Sequence, residues 1–188
     1  NPSHTGLTAQ GWNWTLADAK EFVSANGFLD IGQLYVTDDG KTRIHVSLRE
    51  TASLRINLIG SAAGNLTIDW GDGSATETNT GTAATVYEHS YAVGNFIINI
   101  TVSSGTLTLN GLSGDDRSAF REINIGSNVK LNNSCFSAAM YLSRVSMPLD
   151  CNVSAFGGGN IGIKCLILPS DAFAIERAYS STLTEVIC

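Results

Sequence analysis

The sequence predicts a mainly β fold: an antiparallel β-sandwich, then a short array of stacked repeats, with one helix near the N-terminus. Three observations predict it. Short runs of alternating apolar and polar residues fill the first two thirds of the chain, as half-buried strands require. Glycine-rich turn signals separate them. From about residue 113 the alternation gives way to a block that recurs every 20–22 residues. Self-similarity at such a period is the mark of a repeat architecture.

Composition narrows the class. The 188 residues are 43% hydrophobic and only 15% charged, against about 25% charged in an average globular chain. Ser, Thr, Asn and Gly fill the difference, a balance common in extracellular β-rich and repeat proteins. The net charge is −6 and the 11 basic residues are scattered. Nucleic-acid binding needs a concentrated basic face, so it is set aside. No apolar run approaches the roughly 20 residues of a membrane-spanning helix. The opening Asn1-Pro2-Ser3-His4 carries no export-signal pattern and reads as a mature or trimmed terminus.

Residues 1–40 form an N-terminal segment. Thr15 is a good N-cap, and Leu16, Ala19, Phe22 and Val23 make an apolar stripe that Gly27 ends. Together they predict a helix over about 15–25. Gln33–Thr37 reads as a short strand and Asp38-Asp39-Gly40 as a hairpin turn.

Residues 41–112 carry the sandwich. Ile44, Val46 and Leu48 face inward, with Arg43, His45 and Ser47 outward. Leu54, Ile56 and Leu58 repeat the pattern, as do Leu66, Ile68 and Trp70, then Phe96, Ile98, Ile100 and Val102. At the centre lies Ile68-Asp69-Trp70-Gly71-Asp72-Gly73-Ser74, with His89-Ser90-Tyr91 following. Asp72-Gly73 makes the turn, and Asp69 is expected to accept hydrogen bonds from the backbone or from His89. Asp69 and Asp72 are also the only candidates for a calcium site; without a run of three acidic ligands, no cofactor is expected.

Residues 113–188 hold the blocks that begin at Phe120, Leu142, Ile163 and Leu183, spaced 22, 21 and 20 residues apart. Each has apolar residues at positions 1, 4 and 6, the leucine-rich repeat pattern. Between blocks an aromatic recurs at Phe136, Phe156 and Tyr179. One repeat cannot bury its apolar face alone, so neighbours stack. About three repeats and a final strand are present, and the inward Cys188 predicts that further chain or a partner covers that end. Cys135, Cys151, Cys165 and Cys188 match no metal-ligand spacing; they read as small apolar fillers, with one or two disulfides as the alternative.

No catalytic constellation appears. His4, His45 and His89 form no metal motif, no nucleophile elbow is present, and Asp38-Asp39 and Asp115-Asp116 read as solvated turns. Gly157-Gly158-Gly159 lacks a phosphate-loop Lys and reads as a tight turn. The sequons at Asn13, Asn65, Asn99, Asn132 and Asn152 are too close to chance frequency to carry a conclusion.

Two resemblances add to this reading. Trp70-Gly71-Asp72-Gly73-Ser74, then His89-Ser90-Tyr91, Gly94 and the alternating Phe96–Val102 strand resemble the PKD family of Ig-like domains, over about 41–112. The resemblance implies an extracellular spacer, adhesive or carbohydrate-associated module. Residues 120–188 are similar to the BspA-type leucine-rich repeats of bacterial surface proteins, which implies adhesion to a host or neighbouring cell. Phe120 and Ile163 replace Leu at position 1, and Pro is missing after Ile125.

The expectation is a non-enzymatic, secreted or surface-attached bacterial protein that binds a protein or glycan. The alternatives are a carbohydrate-binding accessory module of a polysaccharide-degrading system, or a phage-derived fibre module. The expected binding face comprises strand positions 2, 3 and 5 of the repeats: Arg121, Glu122, Asn124, Ser143, Arg144, Ser146, Lys164, Ile167, Thr184 and Glu185. Trp12 and Trp14 are the candidates for sugar stacking.

Overall fold

The structure, a computed structural model, describes residues 8–12, 33–36, 40–137, 139, 141–146, 165–167 and 185–187. The predicted helix at 15–25 lies outside the described residues, as do Trp14 and Lys164. Two compact units divide the chain, Asn1–Asp38 and Asp39–Cys188.

In the first unit, β1 (Thr8–Trp12) pairs antiparallel with β2 (Gln33–Val36). Asp38 and Asp39 of the predicted turn lie outside the described residues.

The second unit is mainly β, with two sheets in a sandwich-like arrangement. Its strands are β3 (Thr42–Leu48), β4 (Ala52–Gly60), β5 (Leu66–Asp69), β6 (Glu77–Thr78), β7 (Thr85–Tyr91), β8 (Gly94–Val102) and β9 (Leu107–Gly114). There follow β10 (Phe120–Asn124), β11 (Val129–Leu131), β12 (Arg144–Ser146), β13 (Cys165–Ile167) and β14 (Glu185–Ile187). The larger sheet runs β14-β13-β12-β10-β3-β8-β5-β6, and the smaller β11-β9-β4-β7.

The alternation places the core. Ile44, Val46 and Leu48 of β3, Leu54, Ile56 and Leu58 of β4, Leu66 and Ile68 of β5, and Ile98 and Ile100 of β8 are all buried in one cluster. Because side chains alternate along a strand, each sheet lends one face to this core and keeps the other outward. Leu107, Leu109 and Leu112 of β9 join the cluster, as do Phe120 and Ile123 of β10.

Hydrogen bonding is continuous from the sandwich into the repeat blocks. β10 pairs antiparallel with β3, while β10, β12, β13 and β14 pair in parallel, in register. The register of β10 on β3 shifts between Phe120 and Glu122. That bulge accounts for the 1-4-6 spacing in the block that begins at Phe120. An extra residue after position 1 postpones the next inward side chain from position 3 to position 4. Phe120, Ile123 and Ile125 are accordingly buried, and Leu142 and Val145 match them in the next block. β11 pairs parallel with β9, so the first block contributes to both sheets.

Candidate functional site

The turn after β5 is built by its own acids. Gly71 and Gly73 adopt φ of 76° and 85°, left-handed values that favour glycine. Asp69 Oδ1 accepts the Gly71 N–H at 2.9 Å, and Asp72 Oδ1 accepts the Ser74 N–H at 3.0 Å. Each aspartate thus closes a turn two residues ahead of itself. Of the two partners expected for Asp69, the backbone and His89, it takes the backbone, and His89 goes to Asp72, whose Oδ2 lies 2.7 Å from His89 Nε2. Both acids sit on the same turn. Asp69 is already committed to Gly71.

An aromatic clasp surrounds this contact. The His89 ring stacks on Trp70 with centroids 4.9 Å apart and planes at 11°. Tyr91 meets His89 edge-on at 4.7 Å, and its hydroxyl donates to the Trp70 carbonyl at 2.8 Å. The Trp70 indole N–H donates to Glu77 Oε1 at 2.9 Å. The side chains of His89 and Asp72 are 18% and 21% exposed, so their contact is partly shielded from water. Hydrogen bonds from Ser74 first, and His89 second, hold the Asp72 carboxyl well below the usual carboxylate range. Burial first, then the charges of Asp72 and Asp69, push the Tyr91 phenol well above its ordinary value.

This arrangement brings a Ser, an Asp and a His together in an order unsuited to nucleophilic catalysis. In a hydrolase triad the His stands between the Ser and the acid, because it must take the hydroxyl proton. Here the Asp72 carboxylate stands between Ser74 and His89, accepting from both. Nor do Asp69 and Asp72 assemble a calcium cage. Among the described residues, no group of three or more His, Cys, Asp or Glu side chains is placed to hold a metal ion.

The expected binding face lies on β10 and β12. Arg121, Asn124, Ser143 and Ser146 are half-buried there, but position 3 differs from expectation in both blocks: Glu122 is 4% exposed and Arg144 is 8% exposed. These two residues stand directly opposite each other across the parallel pair. Their burial takes both from the accessible surface. Of the remaining expected residues, Thr184 also lies outside the described residues, Ile167 ends β13, Glu185 begins β14, and Trp12 ends β1.

Sequence reasoning missed Tyr141. Its ring is 57% exposed, and the Arg121 guanidinium carbon sits 5.9 Å from the ring centroid. Ser143 donates its N–H and its hydroxyl to the Arg121 carbonyl, at 2.8 and 3.1 Å, which fixes the backbone beneath the pair. The available signal was position: Tyr141 precedes the inward Leu142 and belongs neither to the 1-4-6 set nor to the aromatics between blocks.

Other candidates resolve into structural roles. Asn65 is 2% exposed, and its amide donates to Ser61, Ser104 and Thr106, so the sequon there is closed to modification in the folded chain. Cys135 is buried. Asp115 pairs with Arg55, which also holds Glu88, and Asp116 accepts the Ser118 N–H. His45 is half-buried on β3; burial first, and the Arg43 charge second, lower its pKa. No protein-family model, curated protein or solved structure matches the chain.

Proposed function

We propose that the chain is a non-enzymatic, secreted or surface-attached bacterial adhesion or ligand-binding protein. In this reading a PKD-like sandwich carries a short leucine-rich array of the BspA type, and the outward side of the array meets a protein on a host or neighbouring cell. The observation that carries the reading is the Arg121–Tyr141 pair beside the parallel ladder. Tyr and Arg are the side chains most enriched at binding hot spots. Ring and guanidinium order each other before a ligand arrives, so less side-chain freedom is lost on binding. The half-exposed Asn124, Ser143 and Ser146 supply hydrogen-bonding groups around them. The low charged fraction also supports an extracellular setting.

An array of host matrix proteins, bacterial surface proteins and polysaccharides tests this. The chain should retain one or more protein ligands, and Tyr141→Ala or Arg121→Ala should abolish retention without unfolding. Protein binding that survives both substitutions would overturn the assignment of the face. Exposed tyrosine also suits sugar stacking, which favours the carbohydrate-module alternative as the second reading. Retention of polysaccharide alone, lost on Trp12→Ala or Trp14→Ala, would establish that alternative instead.

A further inference from the structure

Residues 71–78 read Gly-Asp-Gly-Ser-Ala-Thr-Glu-Thr and include no large apolar side chain. Residues 71–76 and 78 are exposed and Glu77 is half-buried. The segment therefore gains little from the core. Its strand portion, β6, pairs with β5 at only two positions, Thr67 with Thr78 and Ile68 with Glu77. Its side-chain links to the rest of the fold are two carboxylate bonds: Asp72 to His89 on β7, and Glu77 to the Trp70 indole. Both ends are anchored. Trp70 is buried at one end. At the other, Asn79 is buried and bonds Leu66, Ala62, Asn65 and Gly81.

We propose that residues 71–78 form a strap on the edge of the larger sheet, latched by Asp72 and Glu77, that opens as a unit when those two carboxylate bonds are lost and so uncovers the edge of β5. Segments with few buried apolar contacts open locally at far less cost than the core, and the two fixed ends confine the opening. An uncovered β5 presents unpaired backbone groups to another extended chain. The titratable groups around the latch are few. His89 faces Asp72, Tyr91 stands near Asp69 and Asp72, and Tyr87 stands near Glu77. Hydrogen bonds from Ser74 and His89 keep Asp72 ionised below the ordinary aspartate range, near pH 4. Asp72's share of the latch is therefore complete above that range and is lost as the pH falls through its depressed value. Asp72 therefore holds its end of the strap throughout mildly acidic solution.

Amide exchange followed by NMR, expressed as protection factors, tests the strap in the whole chain. At pH 7, Asp72→Asn combined with Glu77→Gln should lower the protection of Gly71, Ser74 and Thr78 by about tenfold or more, since each lost charge-assisted bond is worth about that factor. Protection in β4 and β9 should stay at the wild-type level. Three results would overturn the proposal: a double variant as protected as wild type, a strap already unprotected at pH 7 in the wild type, or loss that always accompanies β4 and β9.

Discussion

The α-carbon of Gly71 lies against the main-chain carbonyl of Ile97: a Cβ built on it would meet that oxygen at 2.2 Å and its carbon at 2.9 Å. Gly73, two residues on, also has positive φ but has nothing within 4 Å of the same position. The two glycines therefore separate backbone strain from close approach. Gly73→Ala should cost about 1 kcal/mol, the left-handed penalty alone. Gly71→Ala adds a contact that only a shift of β8 or the turn can relieve, and should cost about 3 kcal/mol or more. For a chain of this size that is a fall in Tm of about 2–4 °C for the first and roughly three times as much for the second. Equal shifts in a thermal melt would remove the argument from Ile97.

Asn79 is the polar residue on which the strap's far end depends. Its Oδ1 accepts the Leu66 N–H at 3.0 Å, and its Nδ2 reaches the carbonyls of Ala62 at 2.7 Å and Gly81 at 2.9 Å. Asn79→Ala would leave a buried N–H, two carbonyls and the Asn65 side-chain oxygen to find new partners, at about 2–4 kcal/mol in urea unfolding. Asn79→Asp is the sharper variant. It keeps the acceptor for Leu66, loses both donors and turns a carboxylate toward two carbonyl oxygens. It should destabilise the chain at least as much as alanine at pH 7 and recover as the added carboxyl is protonated.

Local patterns were legible in the sequence, and long-range choices were not. The inward sets around Ile44, Ile56, Ile68 and Ile98 follow from side chains alternating along one strand, which needs no knowledge of the partner strand. The 1-4-6 spacing at Phe120 was visible as a pattern, but its cause, the bulge against β3, depends on residues some 75 positions earlier. The pairing of β2 with β1 likewise joins segments apart in sequence, which local alternation does not specify. At the site, the meeting of the Trp70 turn with His89 was legible because both lie on recognisable strand ends. Which aspartate holds His89 depends on ångström differences within one turn. Glu122 and Arg144 were read as exposed because charge ordinarily marks a surface; their position opposite each other within a wide sheet reverses that.

Tyr141 and Leu142 should behave oppositely although they are neighbours. Tyr141 projects into solvent and Leu142 is fully buried. Tyr141→Ala should leave stability within about 0.5 kcal/mol of wild type, as surface substitutions do. Leu142→Ala should cost about 2–5 kcal/mol through lost burial and the cavity it leaves. Urea denaturation of both variants checks this. A large loss for Tyr141→Ala would mean that the ring is part of the core, and its use as a ligand contact would fall with it.

His45 should make the fold sensitive to mild acid. Burial first, and the Arg43 charge second, hold its folded pKa below the ordinary value of about 6.5. The unfolded chain then takes up a proton that the folded chain resists. The contribution to stability is complete above about pH 6.5, declines as the pH falls through that value, and levels off below the folded pKa. The slope in this window cannot exceed about 1.4 kcal/mol per pH unit for one proton. His45→Gln keeps a polar side chain of similar reach and removes the titration, so its stability should vary less between pH 7 and pH 5 than that of the wild type. Arg43→Ala should remove only the smaller cause and leave most of the slope. Urea unfolding at pH 5, 6, 7 and 8 for the three proteins gives the comparison. A wild type that gains stability relative to His45→Gln on acidification would show that the imidazole is charged in the folded chain, reversing the sign argued from its burial.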